Sequence, residues 1–285
     1  MIPAAFDYQR AGTLDEALGL IGASGTKVIA GGMSLLPLMK LRLANPEKLV
    51  DIGRLKELKG VRKLDDGRLA VGAMTTYAEL AESPARHYGL LRDALPDIGD
   101  VQVRNRGTVG GAVAHCDPAS DLPAVLLALD AEIVAKSKRG QRVLPADGFF
   151  LGAFTTELAD DELITEIRLP GPRDDAGSAF RSLSQRASGY SIVGVAAVVI
   201  FERGDAITKA GIALTGVGEA PYRARGVEAA LIGTDGGAAA IASAAAHATD
   251  GVTVNGDIHA DAAYRTAMAT VHTRRAIEAA VGRLG

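Results

Sequence analysis

Two short stretches carry glycine pairs where neither flanking element needs one: AGGMS at residues 30–34 and GTVGG at residues 107–111. Each precedes an apolar segment with helical spacing. A pyrophosphate can be held by backbone N–H groups alone if no side chain blocks its approach and the turn can reach positive φ. Glycine meets both demands, and the helical start that follows would add further donors. Two such segments suit a ligand with two phosphates, whereas one Gly-Gly alone reads equally well as a tight turn or a helix cap.

Other chemistry finds less support. GASGTK at 22–27 lacks the spacing of a P-loop, and GVGEAP at 216–221 lacks the last glycine of a dinucleotide fingerprint. A single cysteine, Cys116, excludes an intrachain disulfide and a thiolate-ligated iron–sulfur cluster built from this chain alone. The five histidines show no metal-ligand spacing, so no metal is expected. His115, Cys116 and Asp117 are consecutive, and consecutive side chains rarely converge on one point, so loop or packing roles are expected of them. Arg104 and Arg106 read as a solvated face. A net charge of −3, no tryptophan and no basic cluster give nucleic acid nothing to bind. The longest apolar run, 191–201, is too short to span a bilayer, and the first ten residues lack a signal pattern, so a cytoplasmic protein is expected.

The elements that must position the glycines follow from periodicity. LDEALGLIG (14–22) predicts a helix, and TKVIAGG (26–32) a short buried strand running into the first glycine pair, a helix-then-strand opening. KLVDI and RLAVGAM predict strands, with a DDG turn at 65–67 closing a hairpin. In TTYAEL, Thr75 or Thr76 can cap a helix, with Glu79 at capping-box distance. Residues 84–99 read as an irregular helical stretch, and 104–137 as a Gly-rich loop, an Asp/Pro loop, a helix and a strand. RGQRVLPADGFFLG reads as loop, and DELITEIRLP as a strand. GPRDDAG is the best linker, placing a boundary near 175. Beyond it, strands joined by an ERGDA hairpin turn and three Ala-rich helical segments predict a small antiparallel sheet covered by helices.

Taken in order, AGGMSLLPLMKLRLANPEKLVDI, VGAMTTYAEL, RNRGTVGGAVAHCDPASDLPAVLLALDA, FFLGAFTTEL, DELITEIRLP and SQRASGYSIVGVAA resemble the FAD-binding medium subunit of molybdenum hydroxylases, the carbon monoxide dehydrogenase and xanthine dehydrogenase relatives. The resemblance covers essentially the whole chain. It implies an α+β fold: two α/β subdomains, about 1–55 and 56–174, forming a vanillyl-alcohol-oxidase-type FAD domain, then a flavoprotein C-terminal-like domain over 175–285. FAD is the implied cofactor. Ala30, Gly31, Gly32, Met33 and Ser34 would form one phosphate loop, and Thr108, Val109, Gly110 and Gly111 the other. Asp121 matches an aspartate near the ribityl chain, where a carboxylate accepts from sugar-like hydroxyls, although the residues alone also allow an N-cap of the following helix. Thr75 and Thr76 would approach the cofactor, and Tyr190 aligns with an aromatic near the isoalloxazine.

Met33 stands where relatives often have Gln or His, and a thioether cannot replace a strong hydrogen bond. Gly189 stands where many have Asp. The resemblance implies an electron-transfer subunit with no catalytic side chain of its own. It would pass electrons from [2Fe-2S] clusters on a small subunit to an external acceptor, beside a large subunit that carries the molybdenum cofactor. The implied assembly is a heterotrimer that can dimerise. A stand-alone flavin oxidase and a flavin-free scaffold remain alternative readings.

Overall fold

A computed structural model describes residues 1–201 and 206–284. The first lobe opens strand first rather than helix first: β1 (Asp7–Arg10), α1 (Leu14–Leu20), β2 (Thr26–Ile29), α2 (Leu35–Lys40) and β3 (Lys48–Asp51). Its three strands are parallel in the order β1-β3-β2, as helical crossovers require. Thr13 caps α1 by accepting from Glu16 N–H at 3.1 Å, with Asp15 and Glu16 in the first turn. β2, expected to be buried, lies at the sheet edge and is only half-buried, with Lys27 exposed.

The second lobe is a five-stranded antiparallel sheet covered by helices. β4 (Val61–Lys63) and β5 (Leu69–Gly72) form the expected hairpin, its turn closed by Leu64 and Arg68 with Gly67 at φ +85°. There follow α3 (Tyr77–Ala81), α4 (Gly89–Asp97), α5 (Val101–Arg104), α6 (Val109–His115) and α7 (Asp121–Ala128). β6 (Glu132–Ser137), β7 (Gly140–Pro145), a small hairpin of β8 (Phe150–Gly152) and β9 (Thr155–Thr156), and β10 (Leu163–Leu169) complete the lobe. The sheet order is β4-β5-β10-β6-β7. The stretch read as loop, 139–152, therefore holds β7 and β8. β7 is an edge strand whose alternate residues face solvent, so it buries too little to show an apolar signature.

The third unit is the antiparallel sheet β11 (Ala176–Ser184), β12 (Ser191–Ile200), β13 (Lys209–Thr215) and β14 (Tyr222–Arg223), paired in that order. α8 (Arg225–Leu231), α9 (Ala238–Ala245) and α10 (Ala262–Val281) are the expected three helices. β12 and β13 pair as expected, while the ERGDA turn between them rests on residues 202–205, outside the described residues. α10 packs so closely on β11 that a Cβ on Gly177 would stand 1.9 Å from the Ala280 carbonyl oxygen.

All eight residues of α7 are buried, and the helix packs against β12 and β13 as well as α4 and α6. The large core accordingly runs through it, joining Leu122, Val125 and Leu126 to Phe180, Ala196 and Ala213 of the third unit. A second tie lies at Asp93 in α4. Its carboxylate accepts from Phe180 N–H at 3.2 Å, Arg181 at 2.8 Å and both terminal nitrogens of Arg283 at 2.7 and 3.0 Å. Burial raises the Asp93 pKa, but these partners, Arg283 foremost, hold it below the usual carboxylate value. Its contribution to stability is thus present above the unfolded pKa and lost as the pH falls through the folded one. Asp93→Ala, which leaves Arg283 short of its carboxylate, is expected to lower unfolding free energy by about 2–4 kcal/mol in urea titrations at neutral pH, with the difference shrinking in acid.

Candidate functional site

The first glycine pair forms the link from β2 to α2. Gly32 sits at φ +77°, a conformation that L side chains resist, and the peptide turns sharply there. Gly31 is held by a different constraint: a Cβ on it would lie 2.0 Å from the carbonyl oxygen of Arg106. The residue before the second glycine segment therefore lies directly against the first, and the two segments form one surface. Among the described residues, the N–H groups of Gly31, Gly32, Met33 and Ser34 donate to no protein acceptor, and the Ser34 hydroxyl caps nothing. Ala30, Met33 and Ser34 are half-buried and reach solvent. Backbone donors left unmade beside half-exposed residues are suited to an anionic ligand.

The second segment differs from its sequence reading. It is not a loop: Thr108 caps α6 by accepting from Gly111 N–H at 3.2 Å, so both glycines lie in the first turn of a helix. Val109 N–H is spent on the Thr75 carbonyl at 3.0 Å and Gly110 N–H on the Ala73 carbonyl at 2.8 Å. A second row of free backbone donors is thus absent here. What the glycines give is close approach, since a Cβ on Gly110 would stand 2.5 Å from that of Ala73. The bare α-carbon of Gly111 leaves the space facing Ala30 open, the two being 4.0 Å apart at the Cβ positions.

Thr75 and Thr76 meet the second segment through their backbones, Thr76 bridging Thr108. Both hydroxyls are committed to the fold. Thr75 is buried with Oγ1 against the Gly60 N–H at 2.9 Å, and Thr76 completes the capping box with Glu79.

Asp121 is not the cap of α7, for Ser120 precedes it and Asp121 is the first helical residue. Its side chain is 5% exposed, and Oδ1 accepts from the Ser191 hydroxyl at 2.6 Å, while Oδ2 has no protein donor among the described residues. Burial, with Asp97 and Asp117 nearby, raises its pKa to about 7 against the opposing Ser191 bond. Tyr77 stands close by. Its hydroxyl is raised by burial and by Asp121 and Tyr190, and its ring lies over Gly107, where a Cβ would meet it at 2.8 Å. Tyr190 is 48% exposed, following Gly189 at φ +74°, where glycine relieves the strain an aspartate would carry. Ser191 and Tyr77 thus join the expected residues. A buried tyrosine opening a helix and a serine opening a strand have no signature in the sequence.

Cys116 caps α6 in the left-handed region at φ 49°, buried, with Sγ at 3.3 Å from the Gly152 carbonyl. Burial pushes its thiol pKa up. His115 packs on Phe154 at 5.0 Å between ring centroids. Arg104 does not face solvent alone: it donates to the carbonyls of Pro96, Ile98 and Gly99, closing the end of α4.

A methyl group at Gly31 would push the two glycine segments apart, whereas a Cβ on Gly152 meets nothing within 4 Å. Gly31→Ala is expected to weaken FAD at least tenfold and to cost about 1–3 kcal/mol of stability, with Gly152→Ala near wild type in both; flavin fluorescence titration and urea unfolding check this.

Residues 4–172 match the family model described as the FAD binding domain in molybdopterin dehydrogenase, and residues 178–280 match the CO dehydrogenase flavoprotein C-terminal domain. The carbon monoxide dehydrogenase medium chain of Hydrogenophaga pseudoflava is 40% identical over 287 residues, covering 99% of each chain. The 6-hydroxypseudooxynicotine dehydrogenase complex subunit alpha of Paenarthrobacter nicotinovorans is 36% identical over 99% of this chain and 97% of its own. A solved structure of carbon monoxide dehydrogenase from Hydrogenophaga pseudoflava matches with a TM-score of 0.96 over 100% of both chains at 40% identity. Quinoline 2-oxidoreductase from Pseudomonas putida 86 matches at 0.92 and 31% identity, over 100% of this chain and 99% of that one. With the unpaired donors of residues 31–34, the bare Gly31–Arg106 seam and the half-bonded Asp121 all fitting a flavin dinucleotide, the chain belongs to the FAD-binding medium subunits of the molybdenum hydroxylases, and FAD is its cofactor.

Proposed function

We propose that this chain takes electrons from [2Fe-2S] clusters on a small partner subunit and delivers them, through FAD, to an external acceptor. A large partner subunit with the molybdenum cofactor would oxidise the organic substrate. The observation that carries this reading is the cysteine count. The one thiol is buried as a helix cap, so clusters that need several thiolates belong on another chain. Relatives of nearly equal similarity bear the names of different activities, on carbon monoxide and on 6-hydroxypseudooxynicotine, which supports a flavin module that leaves substrate choice to its partner. Among the described residues, no helix is long and apolar enough to cross a membrane. A cytoplasmic heterotrimer that can pair into a dimer is the assembly we propose.

The division of labour within the chain is proposed as 1–174 for FAD, with subdomains 1–55 and 56–174, and 175–285 as the flavoprotein C-terminal domain. FAD accepts and donates electrons singly or in pairs, which joins one-electron clusters to a two-electron reaction. Residues 30–34 bind the pyrophosphate with the free N–H groups, and Thr108 to Gly111 leave it room. Asp121 accepts from ribityl hydroxyls with its unpartnered Oδ2 while Ser191 holds Oδ1. Tyr190, half exposed, lies against the ring and limits its contact with water. No side chain here needs to act as acid, base or nucleophile.

Affinity for FAD should then depend on pH. Free Asp121 holds its proton to about pH 7, and donors from the ribityl chain favour the carboxylate, so binding releases a proton. Affinity is expected to rise with pH up to about 7 and to level above it. Asp121→Asn should flatten that profile and weaken FAD roughly tenfold, the worth of a hydrogen bond to a charge. In the cofactor-free chain the sign reverses. The folded protein keeps a proton that the unfolded chain loses near the ordinary 3.8, so stability from this group is lost as the pH rises toward 7.

The electron path is tested on the complex purified by a tag on this chain, before and after FAD is stripped. With FAD removed, dithionite should still bleach the iron–sulfur absorbance, yet reoxidation by quinone, NAD or oxygen should slow by orders of magnitude and return with added FAD. Unchanged reoxidation without FAD, or a solitary flavin-bearing chain that turns over an organic substrate, would overturn the proposal.

A further inference from the structure

One buried side chain joins the backbone just after Tyr190 to the residue that follows β13. Arg265, near the start of α10, is 4% exposed. Its Nη1 donates to the carbonyls of Ile192 at 2.6 Å and Gly216 at 2.5 Å, and its Nη2 to Asp257 at 2.5 Å. Asp257 is itself fixed by the N–H groups of His259 and Ala260 at 2.8 and 3.0 Å. The Arg265 Nε finds no partner. A buried guanidinium with an unmade donor is costly, and an apolar side chain fills such a space more cheaply. What the planar fork supplies is a fixed spacing between two carbonyls.

Those carbonyls belong to the two segments that frame the cofactor site. Ile192 follows Tyr190 and Ser191, and Ser191 binds Asp121. Gly216 directly follows β13, and its N–H donates to the Pro118 carbonyl at 2.8 Å. The preceding Thr215 Oγ1 lies 2.8 and 2.9 Å from the carbonyls of Pro118 and Ser120, so the end of β13 carries the loop that leads into Asp121. Gly216 has φ +78°, and a Cβ there would stand 2.6 Å from the carbonyl oxygens of both Ser191 and Ile192. The segments are in direct backbone contact, and Arg265 is the clamp across them.

We infer that Arg265 is a positioning residue of the FAD site, setting the distance between the Tyr190–Ser191 segment and the loop that presents Asp121. This rests on the assignment of Asp121 and Tyr190 to the cofactor. Lysine keeps the charge but is a point donor that cannot span both carbonyls and Asp257.

The test compares Arg265→Lys with Arg283→Lys in the purified complex. Arg283 is half-buried and makes a similar set of bonds, to Asp93 and the Ser178 carbonyl, just beyond the other end of the same helix, and among the described residues it has no hydrogen bond to Ser120, Asp121, Tyr190, Ser191, Ile192 or Gly216. Each is assayed for melting temperature, FAD dissociation constant, visible circular dichroism of the flavin and flavin midpoint potential. Arg265→Lys is expected to weaken FAD about tenfold, alter the dichroism and shift the potential, while Arg283→Lys loses melting temperature alone. Asp121→Ala and Tyr190→Ala are run alongside. If those two lose FAD or change the flavin spectrum but Arg265→Lys matches Arg283→Lys, the positioning role is overturned and the site assignment stands. If neither changes affinity or spectrum, the site assignment falls and takes the positioning role with it.

Discussion

The structure depends on a helix with no outside. α7 is buried along its whole length between the helices of the second lobe and the sheet of the third unit. A surface helix needs one apolar stripe, but LPAVLLA is apolar on every face, which a helix in this position requires. Each buried leucine or valine there contributes about 1.5–3 kcal/mol. The approach is close enough that β13 must have Gly211 where it meets the end of α7, a Cβ there standing 2.2 Å from the Ala128 carbonyl oxygen. A helix so confined can neither slide nor rotate. Asp121, its first residue, is therefore delivered to one place, and the burial that fixes it also raises its proton affinity.

The candidate cofactor surface is built by contrast from backbone. The first glycine segment supplies open N–H groups, and the second lets chains come close. They look alike in sequence and do different physical work, because one lies in a sharp link at the edge of a sheet and the other in the first turn of a helix whose donors are already engaged. The side chains that frame the site come from three units: Asp121 and Tyr77 from the second lobe, Ser191 and Tyr190 from the third, with the first lobe contributing only main chain and Ser34. Such a site keeps its shape only as well as the contacts between units hold.

Much of this was legible in the residues. The β4–β5 hairpin with a glycine at its turn, the capping box at Thr76 and the Ala-rich helices follow local rules and appear where expected. The paired glycines and the ordered motifs identified the family. What local rules could not supply was the partner of each polar group. Nothing in GTVGGA says that Val109 and Gly110 will spend their N–H groups on Thr75 and Ala73, since those carbonyls are more than thirty positions away. β1 and β7 were missed for a related reason: edge strands with exposed faces bury little, so their sequence looks like loop. Asp121 could be read as a cap because a carboxylate at a helix start usually is one. The helix instead begins at Asp121 itself, and its carboxylate is engaged by Ser191, seventy residues later.

The first lobe has a small core of its own, and part of it is borrowed. Leu58, Met74 and Leu163, all from outside its β-α-β-α-β run, complete the cluster formed by Ala17, Leu18, Ile21 and Val50. Among its further links to the body are the close contact of Gly31 with Arg106 and the bond from Leu14 N–H to the Glu57 carboxylate. A cofactor held by residues 30–34 and Asp121, as proposed, would span this seam, and its binding free energy would add to the work of opening it. Cofactor binding and the stability of the seam would then be linked. On that assignment the empty subunit would open at this seam more easily than the filled one.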